Sequence, residues 1–373
     1  MEDIGVILLG AGESNRFNLP TKKQWLYIEN KPLWQKVADD FREIVTPKEL
    51  IVVGNKKEIS YMKNFGEYTI IEGGKSRSDS LRNALKYINS PYVLVSDIAR
   101  CCLDKDMIKR VISNKNKASC IVPAIKATDT IYYKKEPIDR EEVLLIQTPQ
   151  LSKKDILIKA LSKKDFSDES SAIYSYNKDV IFVEGSKKAK KLTYKEDLLE
   201  LKCLKPPKDI FRSGSGFDTH PFIEDKKMYL GGVLIDSNFG FKAHSDGDVA
   251  IHALIDALLG AIGAGDIGEL FPDSDSKFKD IDSKILLKEV VSFIEKVGFE
   301  LVNIDLTIIA QKPKISPYKE AMRDKLSQIL KLTKDRVNIK ATTTEKLGFI
   351  GREEGVSVMA NATVKYFNWK EAI

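Results

Sequence analysis

Short apolar runs alternate with longer amphipathic stretches over roughly the first half of the chain. The run Ile4–Leu9 is β-branched and leucine-rich and ends at a glycine-containing loop, which predicts a strand. A helix is predicted within Trp25–Phe41. Further strands are predicted at 50–53, 92–95, 120–123 and 180–183, and further helices at 78–88 and 107–113. Such alternation predicts an α/β domain whose mostly parallel sheet is covered on both faces.

The pattern changes in the basic stretch Lys202–Asp209. Its adjacent prolines, Pro206 and Pro207, prevent a helix from continuing and favour an extended connection. Beyond it, apolar patterning predicts helices at 249–262, 285–297 and 321–330 and strands near 306–310, 337–342 and 356–364. We therefore predict a first domain at 1–204, a linker at 205–210 and a smaller α/β (α+β) domain at 211–373.

Composition narrows the class of protein. The chain is 43% hydrophobic and 31% charged, as in globular proteins, and its apolar runs are too short for a membrane span or a signal peptide. A cytoplasmic protein without membrane partners is expected. The net charge of +6 is too mild to indicate nucleic acid and suits small anionic substrates better. The four cysteines lack CxxC spacing and are expected to be reduced.

All three histidines of the chain lie between positions 220 and 252. Asp218 and His220 are two residues apart, so a strand would point both side chains to the same side. His252 lies in the predicted helix 249–262. These ligands would leave a tetrahedral zinc ion with one open position, as in catalytic sites, although manganese and iron accept the same ligands. The alternative is a buried core histidine at 252 and a turn residue at 218.

The segment Lys340–Phe349 follows a predicted strand and carries three threonines, Glu345 and Lys346. Hydroxyls, a carboxylate and an amine suit phosphate oxygens and a bridging magnesium ion. A capped helix start is the alternative interpretation.

Four motifs together resemble 2-C-methyl-D-erythritol 2,4-cyclodiphosphate synthase over Phe211–Phe367. They are Gly216–His220, Ala243–His252, Gly265–Gly268 with Leu270–Asp273, and Ala341–Phe349. The resemblance implies that zinc, or another divalent metal, binds Asp218, His220 and His252, and that Glu345 holds Mg²⁺ between two phosphates. It also implies substrate contacts at His244, Ser245, Asp266, Gly268, Asp273, Phe349 and Arg352, and nucleotide contacts at Lys314, Thr342 and Thr343.

The reaction that this resemblance implies is an internal displacement between two phosphates. The 2-phosphate of 4-diphosphocytidyl-2-C-methyl-D-erythritol 2-phosphate attacks the β-phosphate, closes a ring and expels CMP. Two anionic groups must meet, so two cations that neutralise and align them supply most of the catalysis, and no protein nucleophile is required.

The loop Gly10-Ala11-Gly12 begins like a dinucleotide-binding fingerprint, but Asn15 occupies the third glycine position. Arg16 and Lys23 follow. An oxidoreductase has no evident use for two cations here, whereas a phosphoryl-transfer site does. The loop amides can bind a triphosphate while the cations neutralise the developing charge. A glycine turn with surface cations is the alternative.

Further fragments resemble 2-C-methyl-D-erythritol 4-phosphate cytidylyltransferase over residues 2–202. They are Gly73–Ser80, Ser96–Arg100, Thr128–Thr130, Asp139-Arg140, Gln147–Gln150, Asp168–Ser170 and Val183–Thr193. The family implies a Rossmann-like nucleotidyltransferase domain that joins CTP and methylerythritol phosphate and releases pyrophosphate. The roles it implies are transition-state stabilisation by Arg16 and Lys23, Mg²⁺ binding by Asp97, nucleotide binding by Gly10, Ala11, Gly12, Gly74 and Ser80, and catalytic phosphate binding by Thr130, Arg140 and Lys191.

The two implied reactions are separated in the pathway by a kinase step, for which the sequence shows no third domain. Since the two families are homodimeric and homotrimeric, their fusion predicts a closed homo-oligomer of at least a hexamer.

One alternative function is that of a non-catalytic nucleotide sensor with a structural metal. Another is a transferase for a different sugar or polyol phosphate, because Arg140 and Lys191 would accept any phosphate monoester.

Overall fold

The computed structural model describes residues 3–162, 164–243, 245–272 and 281–373. The chain forms two compact units. Unit 1 contains the residues up to Pro207 together with Asn368–Ile373, and unit 2 contains Lys208–Phe367. The residues after Phe367 therefore lie with unit 1, whereas the predicted second domain runs to 373. Among the described helices, none has the length and apolar character that a membrane span requires.

Unit 1 is built around a mixed, mostly parallel sheet with the strand order β10-β7-β11-β6-β1-β4-β5, and β12 pairs with β7. Its strands are β1 (Ile4–Leu9), β2 (Tyr27–Ile28), β3 (Lys31–Pro32), β4 (Glu49–Gly54), β5 (Thr69–Glu72), β6 (Tyr92–Asp97), β7 (Cys120–Lys126), β8 (Ile131–Tyr133), β9 (Glu136–Ile138), β10 (Leu144–Ile146), β11 (Gln150–Lys153) and β12 (Val180–Glu184). Its helices are α1 (Leu33–Val45), α2 (Ile59–Met62), α3 (Arg77–Leu85), α4 (Lys105–Ser113), α5 (Lys154–Leu161) and α6 (Glu169–Asn177).

The predicted α/β architecture of the first domain is confirmed. Strand β1 is parallel to β4 and β6, and only β10 and β11 run antiparallel to their neighbours in the main sheet of the described residues. Helices cover the sheet, which explains why the consecutive residues Val6, Ile7 and Leu8 are all fully buried, without alternation. The helix predicted within Trp25–Phe41 begins only at Leu33, because a 3₁₀ turn (Lys23–Trp25) and strands β2 and β3 precede it.

The expectation of reduced cysteines is wrong for one pair. Cys102 and Cys203 form a disulfide across a sequence separation of 101 residues. Cys101 and Cys120 are free and buried. Spacing rules could not identify the pair because the two cysteines meet only through the tertiary fold.

The tail residues 368–373 contact unit 1 beside strand β2. Trp369 is only 3% exposed, and its Nε1–H donates to the carbonyl oxygen of Tyr27 at 2.9 Å. The indole therefore has both apolar burial and a partner for its polar atom, which are the conditions for stable burial of tryptophan.

Unit 2 contains a sheet with the order β16-β13-β19-β17-β18 and a separate β14-β15 hairpin. Its strands are β13 (Phe211–Glu224), β14 (Met228–Leu230), β15 (Val233–Ile235), β16 (Phe239–Phe241), β17 (Phe299–Ile309), β18 (Val337–Thr342) and β19 (Gly355–Tyr366). Its helices are α7 (Val249–Ile262), α8 (Ile267–Leu270), α9 (Ser283–Lys296), α10 (Lys319–Leu330) and α11 (Gly348–Gly351). This arrangement confirms the predicted smaller α/β domain.

Two glycines in β13 let α7 pack directly on the strand. A Cβ at Gly216 would lie 2.0 Å from the carbonyl oxygen of Ala253, and one at Gly214 would lie 2.2 Å from that of Ala257. The helix is apolar on nearly all sides, as expected of a buried helix. This close approach carries residue 252 of the helix to residue 218 of the strand.

Candidate active sites

The first site is a cavity of about 630 Å³ in unit 1. It lies at the carboxyl ends of β1 and β6, where ligands of open α/β sheets bind. The predicted nucleotide and catalytic residues that line it are Gly10, Ala11, Gly12, Arg16, Lys23, Gly74, Ser80, Asp97 and Lys191. Helix α3 begins beside it, and the buried Ser80 hydroxyl of that helix accepts a hydrogen bond from Gly74 N at 3.0 Å.

Asp97, at the end of β6, is held between two cations. Lys191 Nζ lies 2.5 Å from Oδ2 and Arg77 Nε lies 3.4 Å from Oδ1. Burial would raise the pKa of the Asp97 carboxyl, but the positive charges of Arg77 and Lys191 hold it below its ordinary value. The Arg77 guanidinium is fixed in turn by the fully buried Glu169 at 2.7 Å. An ionised carboxylate at this position suits a divalent cation.

Lys23 extends into the same cavity, and its Nζ donates to the carbonyl oxygen of Leu192 at 3.3 Å. Burial, followed by the charges of Lys191 and Arg16, lowers the pKa of the Lys23 amine. Five cationic side chains therefore line one cavity: Arg16, Lys23, Lys75, Arg77 and Lys191. A polyphosphate would relieve their mutual repulsion.

Thr130 and Arg140 lie away from this cavity. They belong to an arm formed by residues 128–146, which includes β8, β9 and β10. Arg140 is exposed and donates to the carbonyl oxygen of Thr128 at 3.0 Å. The structure therefore does not bring these two predicted phosphate ligands to the cavity of their own chain.

The second site lies in unit 2, where Asp218, His220 and His252 meet. Asp218 Oδ2 is 3.1 Å from His220 Nε2 and 3.3 Å from His252 Nδ1. One donor atom from each residue lies within 4.8 Å of the others, a spacing that fits a divalent metal. Burial would raise the pKa of the Asp218 carboxyl, but hydrogen bonds and charge from the two histidines hold it far below its ordinary value.

The remaining nitrogen of each histidine contacts an oxygen atom away from Asp218. His220 Nδ1 is 3.0 Å from the carbonyl oxygen of Gly247. His252 Nε2 is 3.0 Å from the hydroxyl of Ser283, which donates to Asp246 at 2.5 Å. Such outer contacts fix the orientation of imidazoles that bind metals. The local fold depends on Asp248, whose buried carboxylate caps α7 by accepting from Ile251 N at 3.1 Å.

A cavity of about 340 Å³ adjoins these three side chains. Ser245 and Gly268 line it, as do Lys242 and Asp256. Asp266 is exposed just before α8 and accepts from Glu269 N at 3.0 Å, and it is not among the residues that line the cavity. His244 and Asp273 lie outside the described residues.

The other predicted phosphate and substrate contacts of unit 2 do not line this cavity. They are the exposed residues Lys314, Thr342, Thr343, Glu345, Phe349 and Arg352. Glu345 accepts from the Thr343 hydroxyl at 3.0 Å, and Arg352 pairs with Glu354 at 2.7 Å. Among the described residues, the lining of the cavity beside the histidine cluster therefore lacks the predicted nucleotide and Mg²⁺ contacts.

Sequence reasoning did not assign roles to several polar residues in these sites. Arg77 lies within the Gly73–Ser80 motif, so its proximity to that motif was the available signal. Glu169 likewise lies within the Asp168–Ser170 fragment, whereas Ser283 carries no such signal, because it reaches His252 only through a contact distant in sequence.

Comparisons with known proteins agree with the division of the chain. Residues 4–204 match the family model described as 2-C-methyl-D-erythritol 4-phosphate cytidylyltransferase, and residues 211–365 match the YgbB family. The bifunctional enzyme IspD/IspF of Nitratiruptor sp. is 52% identical over 100% of both chains, and that of Aliarcobacter butzleri is 50% identical over 100% of both.

The solved structure of the bifunctional IspDF from Campylobacter jejuni is also similar. Its TM-score is 0.90 at 46% sequence identity, and the match covers 99% of this chain and 100% of that one. The likeness therefore extends over both units. The chain belongs to the bifunctional IspD/IspF family, which combines the cytidylyltransferase and cyclodiphosphate synthase activities of the methylerythritol phosphate pathway in one polypeptide.

Proposed function

We propose that residues 1–204 transfer CMP from CTP to 2-C-methyl-D-erythritol 4-phosphate in the unit 1 cavity. The supporting observation is the convergence of Arg16, Lys23 and Lys191 on a glycine loop beside Asp97. The loop amides bind the triphosphate, and the cations stabilise the charge that develops as pyrophosphate leaves. Asp97 would hold Mg²⁺, which would neutralise phosphate charge, and Lys191, which pairs with Asp97 here, would bind the substrate phosphate.

For residues 211–373 we propose cyclisation of the diphosphocytidyl substrate at the histidine cluster. Asp218, His220 and His252 hold zinc, which would supply Lewis acidity towards a phosphate oxygen. Ser245 and Gly268 contact the methylerythritol portion beside the cluster. The family resemblance assigns contacts with the same portion of the substrate to His244, Asp266 and Asp273. Lys314, Thr342, Thr343, Phe349 and Arg352 bind the cytidine phosphate portion, and Glu345 holds Mg²⁺.

Replacement of Ser283 by alanine should weaken zinc binding about 10-fold, because His252 Nε2 loses its shorter contact, at 3.0 Å, and keeps only that with the Ser245 hydroxyl at 3.3 Å. Metal analysis of the wild type should find one zinc ion per chain, and competition with a zinc-binding dye measures the affinity. Ser327→Ala is a matched control, since Ser327 is a buried serine of the same unit that contacts Asp324. Equal affinity in Ser283→Ala and wild type would refute the orienting role.

Self-association would complete both sites. The arm with Thr130 and Arg140 carries the exposed apolar residues Tyr132, Tyr133 and Leu145. In unit 2, Phe217 and Met359 form a cross-strand pair and are 61% and 50% exposed. Exposed apolar groups of this size suit protein interfaces. We propose that partner protomers cover these surfaces, with a two-fold interface at the arm and a three-fold interface at the unit 2 sheet.

Light scattering should therefore give the mass of at least a hexamer. Met359→Asp should reduce that mass and lower the rate of cyclisation, because it places a charge in the proposed three-fold interface. Leu234→Asp, on β15, is the control at another exposed apolar position, and its mass should equal that of the wild type. A wild-type protein that scatters only as a monomer would overturn the proposal.

A further inference from the structure

The side chains next to Lys23 in sequence are buried, and of these Gln24 also lines the nucleotide cavity. Lys22 and Gln24 are 6% and 4% exposed, and Trp25 is fully buried. The backbone turns tightly here, with Trp25 N donating to the carbonyl oxygen of Lys22 at 2.8 Å. The direction in which Lys23 extends therefore depends on the groups that hold its neighbours.

Those neighbours converge on one carboxylate, that of Glu58, which immediately precedes α2 and is 3% exposed. Lys22 Nζ lies 2.6 Å from Glu58 Oε1. Glu58 Oε2 accepts from Trp25 Nε1 at 2.6 Å and from Gln24 Nε2 at 3.5 Å. The Trp25 ring also stacks on Tyr61 of α2, with 5.3 Å between the ring centroids.

Lys22 and Gln24 also contact residues in and next to the glycine loop. Lys22 Nζ is also 2.6 Å from Glu13 Oε2. Gln24 Nε2 donates to the carbonyl oxygen of Gly12 at 3.1 Å, and Gln24 Oε1 accepts from the Ser14 hydroxyl at 3.1 Å. Burial disfavours the charge of Lys22, but its hydrogen bonds to Glu13 and Glu58 raise its pKa overall. The buried carboxylate of Glu58 thus connects the segment around Lys23 with the glycine loop that lines the cavity.

We propose that Glu58 is a positioning residue for cytidylyl transfer, which fixes Lys23 and the glycine loop relative to each other through Lys22, Gln24 and Trp25. Glu58 does not line the cavity and acts only through these contacts. The inference rests on the role proposed above for Lys23. Glu58 would then affect the rate of transfer from outside the cavity, because a small displacement of a reacting or stabilising group lowers the rate steeply.

Glu58→Gln tests the inference, because it keeps the side-chain size and removes the charge. We expect kcat for pyrophosphate release to fall about 10- to 100-fold. Calorimetry with CTP should find the same number of binding sites per chain as in the wild type. The fall in kcat can then be expressed per folded, CTP-binding site. Trp25→Phe removes the indole N–H donor to the same carboxylate together with one ring of the indole, and it should also lower kcat.

Glu43→Gln is the matched control, because Glu43 also pairs with a lysine, Lys105 at 2.9 Å, but its side chain is 73% exposed. Its kcat should equal that of the wild type, and cyclisation should be unchanged in all these variants. If kcat per CTP-binding site stays normal in both Glu58→Gln and Trp25→Phe, Glu58 has no positioning role. If Lys23→Ala is itself fully active, the role of Lys23 fails and the inference fails with it.

Discussion

The variant His252→Ala should lose cyclisation by about 10³-fold or more while cytidylyl transfer continues at the wild-type rate. His252 supplies one of the converging donor atoms beside Asp218. Without it the metal is lost or misplaced, and metal Lewis acidity is worth on the order of several kcal/mol of transition-state stabilisation. Release of CMP from the diphosphocytidyl phosphate measures the effect, and metal analysis of the same preparation measures the loss of zinc.

The transferase activity of the same polypeptide is the internal control for that experiment, because it reports the amount of folded protein. Wild-type cyclisation by a zinc-free His252→Ala protein would show that the cluster is not catalytic. Loss of both activities in a folded protein would contradict the assignment of one reaction to each unit.

Lys23→Ala should have the opposite effect. Pyrophosphate release from CTP and methylerythritol phosphate should fall about 10²- to 10³-fold, as when one preorganised donor to a developing charge is removed. Burial and the charges of Lys191 and Arg16 hold the pKa of Lys23 below its ordinary value. Bound phosphates would relieve the repulsion between Lys23 and the cations Lys191 and Arg16. Loss of the amine should therefore lower kcat, while the number of CTP sites per chain stays unchanged.

Cyclisation by Lys23→Ala should be unchanged. Lys57→Ala is the matched control, since Lys57 is an exposed lysine of the same unit that does not line the cavity, and it should transfer CMP normally. Full transferase activity in Lys23→Ala would exclude the proposed role of this amine.

Elements with a strong local pattern could be predicted from the sequence. Strand β1 occupies Ile4–Leu9 and helix α7 occupies Val249–Ile262, as expected, because uninterrupted apolar runs have few alternatives to burial. The cluster of Asp218, His220 and His252 could also be identified, since two ligands share one side of a strand and the third lies in an apolar helix.

Features that depend on distant contacts could not be predicted. Nothing in the local pattern around Lys23–Trp25 reveals that the side chains of Lys22, Gln24 and Trp25 are held by Glu58. The contact of Ser283 with His252 spans 31 positions, and the partner of Cys102 lies 101 positions away. In our proposal, Arg140 and Glu345 act in sites that are completed by a second protomer. The sequence of one chain does not specify which protomer supplies a residue to a site.

The contact between Trp369 and Tyr27 has a consequence for the order of events during protein synthesis. Domains generally fold from the N-terminal side while the chain is still being translated. In this chain, however, the indole that covers the carbonyl oxygen of Tyr27 is made only after all of unit 2. The ribosome must therefore complete the synthase sequence before the transferase unit can acquire its last buried tryptophan.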